Sequence, residues 1–124
     1  MAHYEHLPIY RAALTLAVHL ETVVRGFSRY SKYTLGSEMR RQAQTILGLI
    51  IRANQERERQ GTLLDLRIAT EQLLVTARLC HESKGFKNFE SFATTIELAG
   101  QVARQNEGWL KSRGGAGRAG TAGP

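Results

Sequence analysis

The sequence predicts an all-α fold: an up-down-up-down antiparallel four-helix bundle followed by a disordered Gly/Ala-rich C-terminal tail. Three observations carry this. Apolar residues recur at spacings of three and four in separate segments, as one face of a helix requires. No segment alternates apolar and polar residues at period two over a useful length, so strands are not expected. The breaks between segments are about two to six residues, short enough to make consecutive helices antiparallel neighbours.

The first helix opens at Pro8, a residue tolerated in the first turn because its missing N–H would be unpaired there. Tyr10, Ala13, Leu14, Ala17, Leu20, Val24 and Phe27 form its stripe to about Ser28, and Arg29-Tyr30-Ser31-Lys32-Tyr33-Thr34 is a linker. The second helix runs from about Leu35 to Gln60, with Met39, Ala43, Ile46, Leu47, Ile50 and Ala53 on one face. Glu56-Arg57-Glu58-Arg59-Gln60 is its solvated last turn, and Gly61 is its expected C′ residue. Thr62 is the expected N-cap of the third helix, with Asp65 as its capping-box partner. Leu66, Ala69, Leu73, Thr76 or Ala77, and Cys80 follow on one stripe to about Ser83, before the short turn Lys84-Gly85-Phe86-Lys87. Asn88 caps the fourth helix, whose stripe is Phe89, Phe92, Ile96, Ala99, Val102 or Ala103, and Leu110. The bundle therefore covers residues 1–111. Residues 112–124 have no apolar side chain larger than Ala and are expected to be a disordered tail.

A chain of 124 residues accommodates one domain, which excludes two-domain enzyme architectures. Seventeen Lys and Arg against eleven Asp and Glu give a net charge of +6, which favours polyanionic partners. Thirteen of the bases are Arg, whose planar fork binds phosphates bidentately. Arg113 and Arg118 lie in the tail and account for two charges of the +6, so the bundle is basic in its own right. Asp65 is the only aspartate, which makes a two-metal phosphoryl-transfer site improbable. The lone Cys80 cannot form an internal disulfide, so a secreted disulfide scaffold is not expected. There is no apolar signal core and no run long enough to span a bilayer, so a cytoplasmic, membrane-free protein is expected.

Catalytic and metal-binding patterns are absent. There is no Glu-x-x-His pair of the di-iron kind, and His81-Glu82 lacks the second His of the zinc-protease motif, Gly85 standing in its place. His3 and His6 belong to a frayed terminus, Cys80 reads as a core cysteine and His19 as a satisfied structural imidazole beside the core stripe. No Gly-x-Ser-x-Gly elbow and no phosphate-cradling loop occurs in the body of the chain. The expectation is a protein that is not an enzyme and carries neither cofactor nor metal.

The bases are the remaining chemistry. Positive charge gathers on the first two helices, their linker and the third-helix residues Arg67 and Arg78, against a solvated face of Glu–Arg pairs as the alternative. The linker interleaves Tyr30 and Tyr33 with Arg29 and Lys32, a pattern that allows base stacking beside neutralised phosphates. The same tyrosines could instead cover the bundle end. Gly48, Gly100 and Gly108 each cost about 1 kcal/mol relative to Ala, which close helix approach or a neighbouring subunit would offset. Leu47, Leu49, Ile50 and Ile51 spread apolar surface beyond one stripe, and Trp109 is a candidate interface anchor, so a homo-oligomer is expected.

Leu7-Pro8-Ile9-Tyr10-Arg11-Ala12-Ala13, then Phe27 through Arg41 with Tyr33-Thr34-Leu35-Gly36 at its centre, then Arg52-Ala53-Asn54, resemble a family of four-helix bundles. That family contains the accessory variability determinant (Avd) proteins of diversity-generating retroelements and proteins encoded in intervening sequences of bacterial 23S ribosomal RNA genes. The likeness covers about residues 7–111 and excludes the tail; Tyr33-Thr34-Leu35-Gly36 is its most specific element. It implies a non-enzymatic, basic, pentameric protein, bacterial or phage-encoded, that binds the retroelement reverse transcriptase and its template RNA and supports mutagenic cDNA synthesis. On that resemblance Arg40, Arg41, Arg52, Arg67 and Arg78 contact nucleic acid (RNA or DNA) or the reverse transcriptase, and Arg78 falls where the family's third helix tends to carry Arg. The intervening-sequence branch implies a structural oligomer with no nucleic-acid role.

Overall fold

The computed structural model describes residues 3–114. A 3₁₀ turn at Tyr4–His6 leads into α1 (Pro8–Arg25); α2 (Arg29–Ser31) runs through a π turn (Lys32–Gly36) into α3 (Ser37–Gln55), followed by α4 (Gln60–Glu82) and α5 (Phe89–Gly114). No strand occurs among the described residues. The four long helices pack as a ring in which α1 touches α3 and α5, and α4 touches the same two. Glu21 of α1 meets Arg40 of α3, Gln42 of α3 meets Thr76 of α4, and Asn106 of α5 reaches the Leu63 carbonyl of α4.

The expected core of the second and third helices is in place: Met39, Ala43, Ile46, Ile50, Ala53, Leu66, Ala69, Leu73, Ala77 and Cys80 are buried. Two stripes shift. In α1 the buried residues are Ile9, Ala13, Leu16, Leu20 and Val24, while Leu14 is 42% exposed. In α5 the inward face includes Thr95 and Asn106 as well as Phe92, Ala99 and Val102, and Trp109 is buried at 1% exposure. Trp109 is thus a core residue of the protomer, with the Arg59 guanidinium 5.4 Å from its ring centroid, and not an exposed anchor.

Connections differ more from expectation than helices do. The supposed linker 29–34 is helical: Ser28 caps it, its Oγ accepting from the Ser31 N–H at 3.3 Å, and the backbone widens into the π turn before α3. At the far end α3 stops at Gln55 because Glu56 is extended (φ -92°, ψ 144°), so Gly61 is not a C′ residue but lies in the first turn of α4. Thr62 does not cap α4 either. Its hydroxyl donates to Glu56 Oε1 at 2.5 Å, and Asp65 faces Arg52 at 3.7 Å instead of serving a capping box. Helix α5 continues through Gly114, so residues 112–114 are helical, and the rest of the expected tail, 115–124, lies outside the described residues.

The turn after α4 closes as a Schellman motif. The Gly85 N–H reaches the Cys80 carbonyl at 2.7 Å, the Lys84 N–H reaches His81 at 3.0 Å, and Lys84 takes the left-handed conformation (φ 65°). Gly85 is required for a different reason: a Cβ there would stand 2.5 Å from Cys80 Sγ. Asn88 caps α5, its Oδ1 accepting from the Ser91 N–H at 2.8 Å. No helix among the described residues is long and apolar enough to cross a membrane.

Candidate nucleic-acid interface

The corner between α1 and α3 collects most of the bases that are free to meet a ligand. Gly36 makes the corner tight: a Cβ on it would come within 2.7 Å of Val24 Cγ1, so only glycine lets the π turn lie this close to α1. That approach sets Lys32, Tyr33, Ser37 and Arg40 against Glu21, Val24 and Arg25 around one open pocket of about 250 Å³. Ser37 Oγ donates back to the Lys32 carbonyl at 3.4 Å, tying the two ends of the π turn together. Arg40 Nε donates to Glu21 Oε2 at 2.8 Å, which holds the guanidinium in its charged form.

Tyr30 and Tyr33 are 79% and 68% exposed, so they do not cover the bundle end. That end is closed by Phe27, Phe86 and Phe92, with ring centroids 5.2 and 5.5 Å apart in edge-to-face contacts. The turn after α4 rests on the same corner, Gly85 against Ser31 and Lys87 beside Gly26. Arg25, part of the first helix's positive charge but not among the predicted contacts, therefore joins Arg29, Lys32, Lys84 and Lys87 in a set of bases that make no ion pair among the described residues.

The other predicted contacts are dispersed and mostly tied off. Arg41 pairs with Glu38 one turn before it and faces the α3–α4 groove beside Gln42, Val75 and Thr76. Arg52 sits between Glu56 (3.5 Å) and Asp65 (3.7 Å), where it braces the α3–α4 corner. Arg67 makes two 2.7 Å hydrogen bonds to Glu107, whose carboxyl that contact holds below its usual range. Arg78 is exposed on the outer face of α4, away from the pocket, and makes no ion pair among the described residues.

That outer face carries a feature the helical stripe reading left out. Leu64, Ile68, Val75 and Leu79 are 37–59% exposed and, at spacings of four and seven, lie along one side of α4. Leu14 and Val18 are exposed on α1, across the ring. Of the extra apolar residues of α3, Ile50 is buried, Leu47 and Leu49 pack on the core and Ile51 is half-buried, so they do not form such an exposed face. Gly48 and Gly108 have nothing within 4 Å of an added Cβ, so close helix approach within the protomer does not account for them.

Among the described residues no group of three or more His, Cys, Asp or Glu side chains could hold a metal ion. Cys80 is fully buried and its thiol is pushed up to about 11 by desolvation, which keeps it protonated. His19 Nε2 lies 2.9 Å from Thr95 Oγ1; since that hydroxyl donates its only hydrogen to the Ser91 carbonyl, the imidazole is the donor. Burial lowers its pKa, and neither group meets a reactive partner. No family model matches this chain, and no curated protein matches it at a significant level.

Proposed function

We propose that this chain is a non-enzymatic, cytoplasmic accessory protein of the Avd kind, which binds single-stranded nucleic acid and, with it, a retroelement reverse transcriptase. The observation that carries the reading is the corner where Arg25, Arg29, Lys32, Lys84 and Lys87 make no ion pair among the described residues, beside two exposed tyrosines. Unpaired bases neutralise phosphates without first breaking an internal pair, and exposed rings give bases a surface to stack on. The contacts of α1 with α3, α3 with α4 and α4 with α5 run in opposite residue order, which supports the up-down-up-down arrangement. The apolar faces of α1 and α4 lie on opposite sides of the bundle, suited to head-to-tail contacts that close into a ring such as the pentamer the resemblance implies.

A salt titration tests the reading. Binding of a single-stranded RNA should weaken steeply with salt, log K falling by about 0.7 per phosphate contact against log salt. Binding that fails to develop at low salt, or that stays flat as salt rises, would sink it. The second reading, a structural oligomer of the intervening-sequence kind, draws on the α4 stripe alone. Sedimentation showing an oligomer, together with no RNA binding at low salt, would decide for it.

A further inference from the structure

The pocket at the α1–α3 corner has a charge balance and a size that select one chemical group. Its walls hold three cations, Arg25, Lys32 and Arg40, and one carboxylate, Glu21. Glu21 takes a single N–H of Arg40, leaving the other donors of that guanidinium unspent. The balance of two positive charges matches a phosphate monoester, which carries about -1.5 to -2 at neutral pH, better than a backbone diester or a carboxylate with one. At about 250 Å³ the pocket lies below the roughly 300–1,000 Å³ of drug-sized ligand sites, enough for a phosphate and part of a sugar. The base is then left at the rim, where Tyr33 lines the opening and is 68% exposed.

We infer that this pocket seats a terminal phosphate monoester of single-stranded nucleic acid, with Tyr33 stacking on the adjoining base. The inference rests on the nucleic-acid reading above and names the part of the ligand that the site takes. The frame is built for such a role: the π turn holds Lys32 and Ser37 through the Ser37 Oγ to Lys32 carbonyl bond, and Gly36 clamps that turn against Val24. Ser37 and Lys32 therefore approach a ligand from a rigid segment, at little cost in ordering. Arg25 and Ser37 become binding residues on this account, beside Lys32, Tyr33 and Arg40.

The experiment is fluorescence anisotropy of the full chain with a short oligouridylate in three forms, carrying a 5′-phosphate, a 3′-phosphate, or hydroxyls at both ends. One phosphorylated form should bind about tenfold more tightly than the hydroxyl form, the scale of an added charge-assisted contact. Arg25→Gln and Lys32→Gln, each with helicity confirmed by circular dichroism, should abolish that advantage, whereas Arg104→Gln should keep it. Uridine 5′-monophosphate and inorganic phosphate should compete for the same advantage. Equal affinity for all three oligonucleotides, with the corner variants weakening each alike, overturns the monoester seat while leaving the nucleic-acid reading intact. Competition-sensitive binding of uridine 5′-monophosphate without any oligonucleotide binding would keep the seat, assign it to a free nucleotide, and overturn the nucleic-acid reading.

Discussion

The two corners of the bundle on either side of α3 are both rich in arginine, and they use it in opposite ways. At the α3–α4 corner Arg52 is held between Glu56 and Asp65 and Arg59 lies over the buried Trp109. At the α1–α3 corner Arg25 and Arg29 are exposed and Lys32 is half-buried, none of them in an ion pair among the described residues, and Arg40 is paired. The first arrangement spends charge on closing a turn; the second leaves charge available at the surface. The difference teaches that net charge locates a binding surface only after internal pairs are subtracted, because a carboxylate already neutralises the guanidinium it pairs with and takes up part of its donor set.

Trp109→Ala breaks the closed corner most severely. Removing a fully buried indole costs about 3–5 kcal/mol, from lost burial and the cavity left behind. Urea denaturation should show that loss. RNA affinity measured well below the unfolding midpoint should be unchanged, because Trp109 lies on α5 beside Arg59, at the other corner. A variant that kept its stability would mean that the ring is not packed as described.

At the open corner the ranking inverts. Replacing Arg25, Arg29 and Lys32 together by Gln should lower single-stranded RNA affinity about tenfold to hundredfold at low salt and flatten its salt dependence. The melting temperature should hold, since none of the three has an ion-pair partner among the described residues to lose. An unchanged affinity would move the nucleic-acid site elsewhere on the surface.

Much of this contrast was open to sequence reasoning, and part of it was not. The stripes of α3 and α4 were legible because each has one apolar residue per turn at most core positions. In α1, Leu14 and Leu16 compete for the same role, and only packing selects Leu16. The π turn was illegible since Lys32-Tyr33-Thr34-Leu35-Gly36 has no apolar period; Gly36, a costly residue in a helix, was the one usable signal. The Glu38–Arg41 pair could be read from its spacing, but Arg67 and Glu107 are 40 residues apart and meet only through the fold. The exposed side of α4 is present in the four- and seven-residue spacing of Leu64, Ile68, Val75 and Leu79, but α4 carries a second apolar stripe at helical spacing, and only packing decides which of the two is buried.

Lys84 sharpens the comparison at a smaller scale. A non-glycine residue in the left-handed region costs about 1 kcal/mol, and Lys84 holds that conformation at the open corner. Lys84→Gly should therefore raise stability by about 1 kcal/mol or somewhat less, glycine's freedom in the unfolded chain offsetting part of the gain. If the lysine contributes to the basic surface, the same variant should lose RNA affinity and reduce the salt slope by about 0.7, one single-strand phosphate contact. A gain in stability with no change in binding would leave Lys84 outside the interface.

The smallest effect is expected where a paired arginine looks most like a binding residue. Arg67 is half exposed on α4 and was a candidate contact, yet both hydrogen bonds to Glu107 are 2.7 Å long. An exposed bidentate pair contributes about 0.2–1 kcal/mol, so Arg67→Gln should shift the denaturation midpoint slightly. Glu107→Gln should shift it by a similar amount and, by freeing Arg67, is the informative variant for binding. If internal pairing is what silences a base, Glu107→Gln should raise RNA affinity modestly, whereas Arg67→Gln leaves it unchanged. A loss of affinity in Arg67→Gln would instead place α4 in the interface, and subtraction of internal pairs would then be the wrong way to locate the surface.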